Sequence, residues 1–182
     1  MTANLKERLL KIRLLIADVD GVFTNGALYI GADGLEFKRF HVRDGAGISL
    51  LKAVNFPVAV ISGRNSAATK ARMKELGLED VLYQGHLAKL EPYEEIKKRF
   101  NLDDEEIIYI GDDVIDVPLL KRVGLPVAVA NALPEVKQHA LYITKLNGGD
   151  GAVREVIDLV LEVQQLKKKA AEIITKDTCK GS

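Results

Sequence analysis

The chain has 182 residues, 47% of them apolar, and Lys+Arg and Asp+Glu both total 26. That length suits one domain with a full hydrophobic core rather than two. With its charges balanced the protein has no net field to draw it to nucleic acid or an anionic membrane, so neither is expected as a partner.

The start, Met1-Thr2-Ala3-Asn4-Leu5-Lys6-Glu7, is too polar for a secretory signal, and no apolar run approaches the length of a membrane span. The single Cys179 can make no disulfide within the chain, which suits a reducing compartment. A cytoplasmic protein is expected. After an amphipathic lead over residues 4–12, strand patterns near 14–18, 58–62, 81–83, 107–110, 126–130 and 141–143 alternate with helical patterns near 45–54, 66–76, 90–100, 114–122, 133–139 and 151–165. Such alternation predicts βαβ units and a layered α/β fold around a parallel sheet. Pro92, Pro118 and Pro134 fall where helices begin, and Gly77 and Gly124 where helices end.

One piece breaks the alternation. Residues 27–40 read as a β-hairpin with a turn at Gly31-Ala32-Asp33-Gly34. Leu28, Ile30, Phe37 and Phe40 give it more apolar surface than a solvated ribbon hides, which predicts packing against another subunit. The domain is expected to span residues 1–165, and 166–182 to be a frayed helix and mobile tail.

Two acidic clusters follow strand-like apolar runs: Asp18-Val19-Asp20-Gly21-Val22-Phe23-Thr24 after Leu14–Ala17, and Gly111-Asp112-Asp113-Val114-Ile115-Asp116 after Ile107–Ile110. Parallel sheets bind ligands beyond the carboxyl ends of their strands. Each cluster alone is also ordinary turn and cap chemistry. Two together repel unless a cation lies among them, and carboxylates with no nearby His or Cys favour Mg2+. Two further strand ends supply what a phosphate needs: Ser62-Gly63-Arg64, with a hydroxyl, an open backbone and a guanidinium before a helix, and Lys89 in the loop before the next.

In this order the residues resemble the haloacid dehalogenase superfamily, whose four motifs are matched by Asp18-Val19-Asp20, Ser62, Lys89 and Gly111-Asp112-Asp113. The resemblance spans residues 12 to about 164, and within the superfamily it is closest to the 3-deoxy-D-manno-octulosonate 8-phosphate phosphatases. The parts that carry it are Asp18 to Thr24, His41-Val42-Arg43-Asp44-Gly45, Ser62-Gly63-Arg64, Gly111 to Pro118 and the segment from Gly148 to Glu155. It implies a three-layer Rossmann-like parallel sheet of haloacid dehalogenase type. The short stretches between Asp20, Ser62 and Lys89 leave no room for a cap domain.

The resemblance also implies roles. Asp18 is the nucleophile that becomes an aspartyl phosphate, and Asp20 is the acid and base. Asp18 and Asp112 hold Mg2+ by their side chains, Asp20 by its carbonyl, and Asp113 from one shell out. Ser62, Gly63 and Lys89 bind the phosphoryl group. Asp20, His41, Val42, Arg43, Asp44, Gly45, Arg64, Arg72 and Lys89 meet a sugar acid phosphate, with Arg64 and Arg72 suited to its carboxylate. The implied reaction, in lipopolysaccharide precursor synthesis, takes place in a homotetramer whose hairpins and carboxyl-terminal tails complete sites at subunit boundaries.

Ser49 and Asp150 depart from the family pattern at positions where relatives carry Arg. Rival readings are a phosphatase for a nine-carbon sugar acid 9-phosphate, a phospho-acceptor signalling domain, and an idle assembly module. Arg64 disfavours the first, because a Glu tends to stand there in the nine-carbon enzymes. Asp20 disfavours the second, because a second acid makes the phosphorylated intermediate short-lived.

Overall fold

Leu14–Ala17, Val58–Ile61 and Ile107–Ile110 are apolar without a break, and the strands they form, Leu14–Ala17, Val58–Ser62 and Ile107–Gly111, are buried along their whole length. This is the pattern of a sheet covered on both faces. They are β1, β4 and β6 in a computed structural model that describes residues 2–178; Cys179 lies outside the described residues. With β5 (Leu82–Gln84), β7 (Leu125–Ala128) and β8 (Tyr142–Ile143) they make a six-stranded sheet in the order β5-β4-β1-β6-β7-β8, parallel at every pairing. The chain leaves β1 toward β4 and β5, then returns past it to β6. The crevice at the carboxyl end of β1 is therefore the switch point where such sheets bind ligands.

Right-handed crossovers place α2 (Val42–Ala53) and α3 (Ala67–Glu75) on one face, and α4 (Leu90–Phe100) and α5 (Val117–Leu120) on the other. Helices α1 (Ala3–Lys11), α7 (Ala152–Val163) and α8 (Lys167–Thr178) join α2 on the first face. Helix α6 (Pro134–Lys137) precedes β8. The expected three layers are thus present.

Details differ. The stretch expected as one helix over 114–122 is a 3-10 turn, Val114–Asp116, followed by α5, because the Asp116 carboxylate is drawn back to the backbone of Asp112 and Asp113. Gly124 lies beyond that helix, packed on the backbone of Glu105 rather than capping. Residues 167–178, expected to fray, form α8, which docks on α2 and buries Ala170.

The hairpin is shorter than expected. Strands β2 (Tyr29–Ile30) and β3 (Glu36–Phe37) pair at two rungs, and a bridge between Thr24 and Phe40 closes its base. Ile30 is 66% and Phe37 57% exposed, with Leu28, Tyr29 and Leu35 also open to solvent, while Phe40 packs on the core of its own subunit. Among the described residues no helix is long and apolar enough to cross a membrane.

Candidate active site

Asp18 continues β1: its N–H donates to the carbonyl of Ile110 on β6 (3.0 Å), which fixes the residue at the mouth of the crevice. The loop that follows is organised by the buried Thr24 hydroxyl. It donates to the Val19 carbonyl and accepts the N–H groups of Gly21 and Gly26. Gly21 has φ +89°, and a Cβ there would lie 2.0 Å from Asp112 Oδ2, so only glycine lets the two acidic loops meet.

Asp18, Asp112 and Asp116 each bring a carboxylate oxygen within 4.8 Å of one another. Asp116 is saturated. Its Oδ1 accepts from Lys89 Nζ and the Tyr109 hydroxyl, both at 2.6 Å, and its Oδ2 accepts the N–H groups of Asp112 and Asp113. Asp116 therefore orients the loop and the lysine. Asp112 Oδ1 is buried and has no hydrogen-bond partner among the described residues.

Lys89, in the loop before α4, is 2% exposed and lies 2.9 Å from Asp18 Oδ1. Burial works against its charge, but Asp18 and Asp116 outweigh it and raise the ammonium above its ordinary value. Burial also pushes the Asp18 carboxyl up to about 7, with Lys89 opposing and Asp116 adding, and pushes Asp112 up to about 8, with Asp18 and Asp116 adding. Two buried acids and the half-buried Asp112 against one ammonium leave negative charge unbalanced. All-oxygen donors, with Asp112 Oδ1 left without a hydrogen bond among the described residues, fit a hard divalent cation such as Mg2+.

Asp20 and Asp113 stand apart from this cluster. The Asp20 carboxylate accepts from Lys38 Nζ through both oxygens, at 2.7 and 2.9 Å, and the exposed Asp113 carboxylate caps the turn at Val114 N (2.6 Å). Ser62 is fully buried at the end of β4, its Oγ held between the N–H and carbonyl of Arg64. Gly63 faces Leu87 and Ile115.

The two arginines lie at opposite ends of one helix. Arg64 precedes α3, whereas Arg72 lies in its last turn, with its guanidinium against Gly45. Both already have carboxylate partners: Glu36 for Arg64 (2.9 Å) and Glu75 for Arg72 (2.8 Å). Glu36 also accepts from Ser66 Oγ (2.6 Å), and this bond first, then Arg64 and Lys38, holds its carboxyl below the ordinary value despite some burial.

His41 caps α2, and Val42 and Arg43 are exposed. Asp44 and Gly45 are buried, and Asp44 caps another helix. Its Oδ1 accepts the Arg154 N–H (2.8 Å) in the first turn of α7, while its Oδ2 is buried without a partner among the described residues. Arg154 and Glu155 do not pair with each other: Arg154 bonds Asp158, and Glu155 holds the loop at Lys145 and Leu146. Of the departures, Ser49 Oγ donates to the Gly45 carbonyl and Asp150 pairs with Arg39.

Burial, partly offset by the Arg154 N–H, raises the Asp44 carboxyl to about 6. A raised value in the folded state means that folding favours the protonated form. Stability from this group is full below about pH 4 and is lost as pH rises through about 6. Asp44→Asn keeps an oxygen for Arg154 but carries no charge. Its melting temperature relative to the parent should therefore improve between about pH 4.5 and about pH 7. Thermal melts whose difference is the same at both pH values would contradict this.

A buried carboxylate, a buried lysine, a hydroxyl and a cluster of acids that could hold a cation, all at one switch point, suit phosphoryl transfer of the haloacid dehalogenase type. Residues 81–157 match the family model described as haloacid dehalogenase-like hydrolase. The chain is 47% identical over 158 residues to the 3-deoxy-D-manno-octulosonate 8-phosphate phosphatase of Yersinia pestis, covering 87% of this chain and 84% of that protein. The crystal structure of a Yersinia pestis enzyme of that name superposes with a TM-score of 0.90 at 44% identity, over 92% of this chain and 90% of that one. The Moraxella catarrhalis enzyme, solved with magnesium, phosphate and KDO, gives 0.89 at 34% identity over 96% and 99%. The chain belongs to the 3-deoxy-D-manno-octulosonate 8-phosphate phosphatase family.

Asp116, Tyr109, Lys38 and Glu36 were not singled out from the sequence. The Asp-Asp-x-x-Asp spacing and the alternation Glu36-Phe37-Lys38 were the available signals.

Proposed function

We infer that this chain hydrolyses 3-deoxy-D-manno-octulosonate 8-phosphate to 3-deoxy-D-manno-octulosonate and phosphate. The observation that carries the reading is Asp18 buried beside Asp112 and Lys89 in a chain 47% identical to a phosphatase of that name.

An oxygen of Asp18 attacks phosphorus as the bond from phosphorus to the sugar oxygen breaks, and Asp20 gives that oxygen a proton. Water then attacks the aspartyl phosphate and yields a proton to Asp20, and the bond to Asp18 breaks to release phosphate. Lys89, Ser62 and the backbone at Gly63 hold the phosphoryl oxygens and the charge that develops on them. Asp18, Asp112 and the Asp20 carbonyl would hold Mg2+, with Asp113 further out. Bound there, Mg2+ offsets the carboxylate charge that would otherwise repel the phosphate.

Arg64, Arg72 and the 41–45 loop are the proposed contacts to the sugar acid. Arg64 is half exposed, and Glu36 shows how it grips a carboxylate. The product is a sugar acid of the kind built into lipopolysaccharide, and the proposed setting is the cytoplasm.

The catalytic unit is taken to be one domain through residue 165 followed by a tail, assembled as a homotetramer. The exposed Ile30, Phe37, Tyr29 and Leu35 support a hairpin that packs on another subunit. A fully active monomer in dilute solution would refute the assembly.

A screen of phosphorylated sugar acids tests the function. Phosphate should be released fastest from the eight-carbon 8-phosphate, be abolished by chelation and return with Mg2+. Faster release from a nine-carbon 9-phosphate, or none from any sugar acid phosphate, would overturn the reading.

A further inference from the structure

Lys38 has no part in the reaction described above, yet its environment is that of a working residue. Along β3 and just past it, Glu36 and Lys38 turn inward while Phe37 turns out. The Lys38 side chain is fully covered, and its Nζ donates to both oxygens of Asp20 (2.7 and 2.9 Å) and to Thr69 Oγ1 (3.3 Å), with Glu36 Oε1 at 3.6 Å.

A covered ammonium is retained only when it is well paired. A carboxylate gripped through both oxygens by a fixed cation loses its freedom to rotate about the bond to Cβ. Glu36 anchors the same strand to Ser66 Oγ and Arg64 Nη2, in the segment that leads from the phosphate-binding end of β4 into α3. The inward face of the hairpin thus reaches Asp20 and that segment together.

We propose that Lys38 is a positioning residue that sets the Asp20 carboxyl plane for proton exchange with the ester oxygen and with water. The proton-transfer step is thereby contingent on the hairpin being seated on its own subunit. This rests on the reading in which Asp20 is the acid and base.

The test compares two esters in the Mg2+-loaded enzyme: the sugar acid phosphate, whose alkoxide must be protonated to leave, and p-nitrophenyl phosphate, whose phenolate leaves without a proton. Lys38→Met should lower kcat/KM for the sugar ester about 10- to 100-fold and for the aryl ester by less than about 3-fold. Lys38→Arg should recover part of the loss.

In an Asp20→Asn background, adding Lys38→Met should bring no further loss. That double variant also leaves no unpaired buried charge, so it remains informative if Lys38→Met alone folds poorly. Equal losses on both esters, or a further loss in the Asp20→Asn background, would reduce Lys38 to a structural role and overturn the proposal. If the parent enzyme hydrolyses no sugar acid phosphate, it is the underlying function that fails, which separates the two outcomes.

Discussion

Asp18→Asn should abolish phosphate release, by about 10^4-fold or more, and at the same time raise the melting temperature of the metal-free protein in mildly alkaline buffer. The first effect follows from loss of the attacking oxygen. The second follows from burial: the Asp18 carboxyl is pushed up to about 7 by desolvation, Lys89 only partly offsetting it and Asp116 adding to it. Folding therefore favours protonated Asp18, and the stability it lends is lost as pH rises through about 7. Asn carries no such penalty, and Lys89 keeps Asp116 as a partner at 2.6 Å. The advantage of the variant over the parent should grow from about pH 6 to about pH 8 and shrink when Mg2+ is added, because a cation bound only by the folded parent stabilises it. Melting curves with and without Mg2+, beside a phosphate assay, check both halves. A variant destabilised equally at both pH values would contradict the burial argument.

Lys89→Met should act in the opposite sense on stability. The ammonium lies between Asp18 Oδ1 and Asp116 Oδ1, and its side chain is almost wholly covered. Removing one partner from a buried ion pair destabilises by about 3–5 kcal/mol, because the charge left behind is neither solvated nor paired. Activity should fall about 10^2- to 10^3-fold or more with the loss of a fixed cation at the phosphoryl oxygens. Acid should relieve the instability, since Asp18 and Asp112, up at about 7 and about 8, take on protons as the pH drops. Mg2+ should relieve it too. Denaturant unfolding at two pH values, with and without the ion, reads all of this. A variant as stable as the parent at alkaline pH would show that the three acids do not strain the fold.

What the sequence made legible was set by pattern length. Four-residue runs such as Val58–Ile61 and Ile107–Ile110 are apolar throughout because both faces are covered, and this placed the central strands to within a residue or so. The acids at their ends followed, since Asp18, Ser62 and Asp112 are fixed by the strands before them. The hairpin was visible but overlong, because only two rungs hold against the pull of Phe40 into the core. Side-chain pairing over long range was not legible. Lys89 sits in a polar loop and reads as solvated until Asp18 and Asp116, from distant stretches, close around it. Arg64 gave no sign of Glu36, nor Asp20 of Lys38, because those contacts exist only once the hairpin has folded back.

The order of the central strands also governs biosynthesis. Strand β1 is flanked by β4 on one edge and β6 on the other, so the neighbours that enclose Asp18 are translated long after it. While the nascent chain is still leaving the ribosome, the first acidic loop stays open to water until the stretch through Asp116 has emerged, and the ion-binding pocket has no partial precursor. Truncated products ending before β6 would lack its pairing with β1 and the carboxylates of Asp112 and Asp116, so retention of a divalent ion would mark synthesis carried past Asp116.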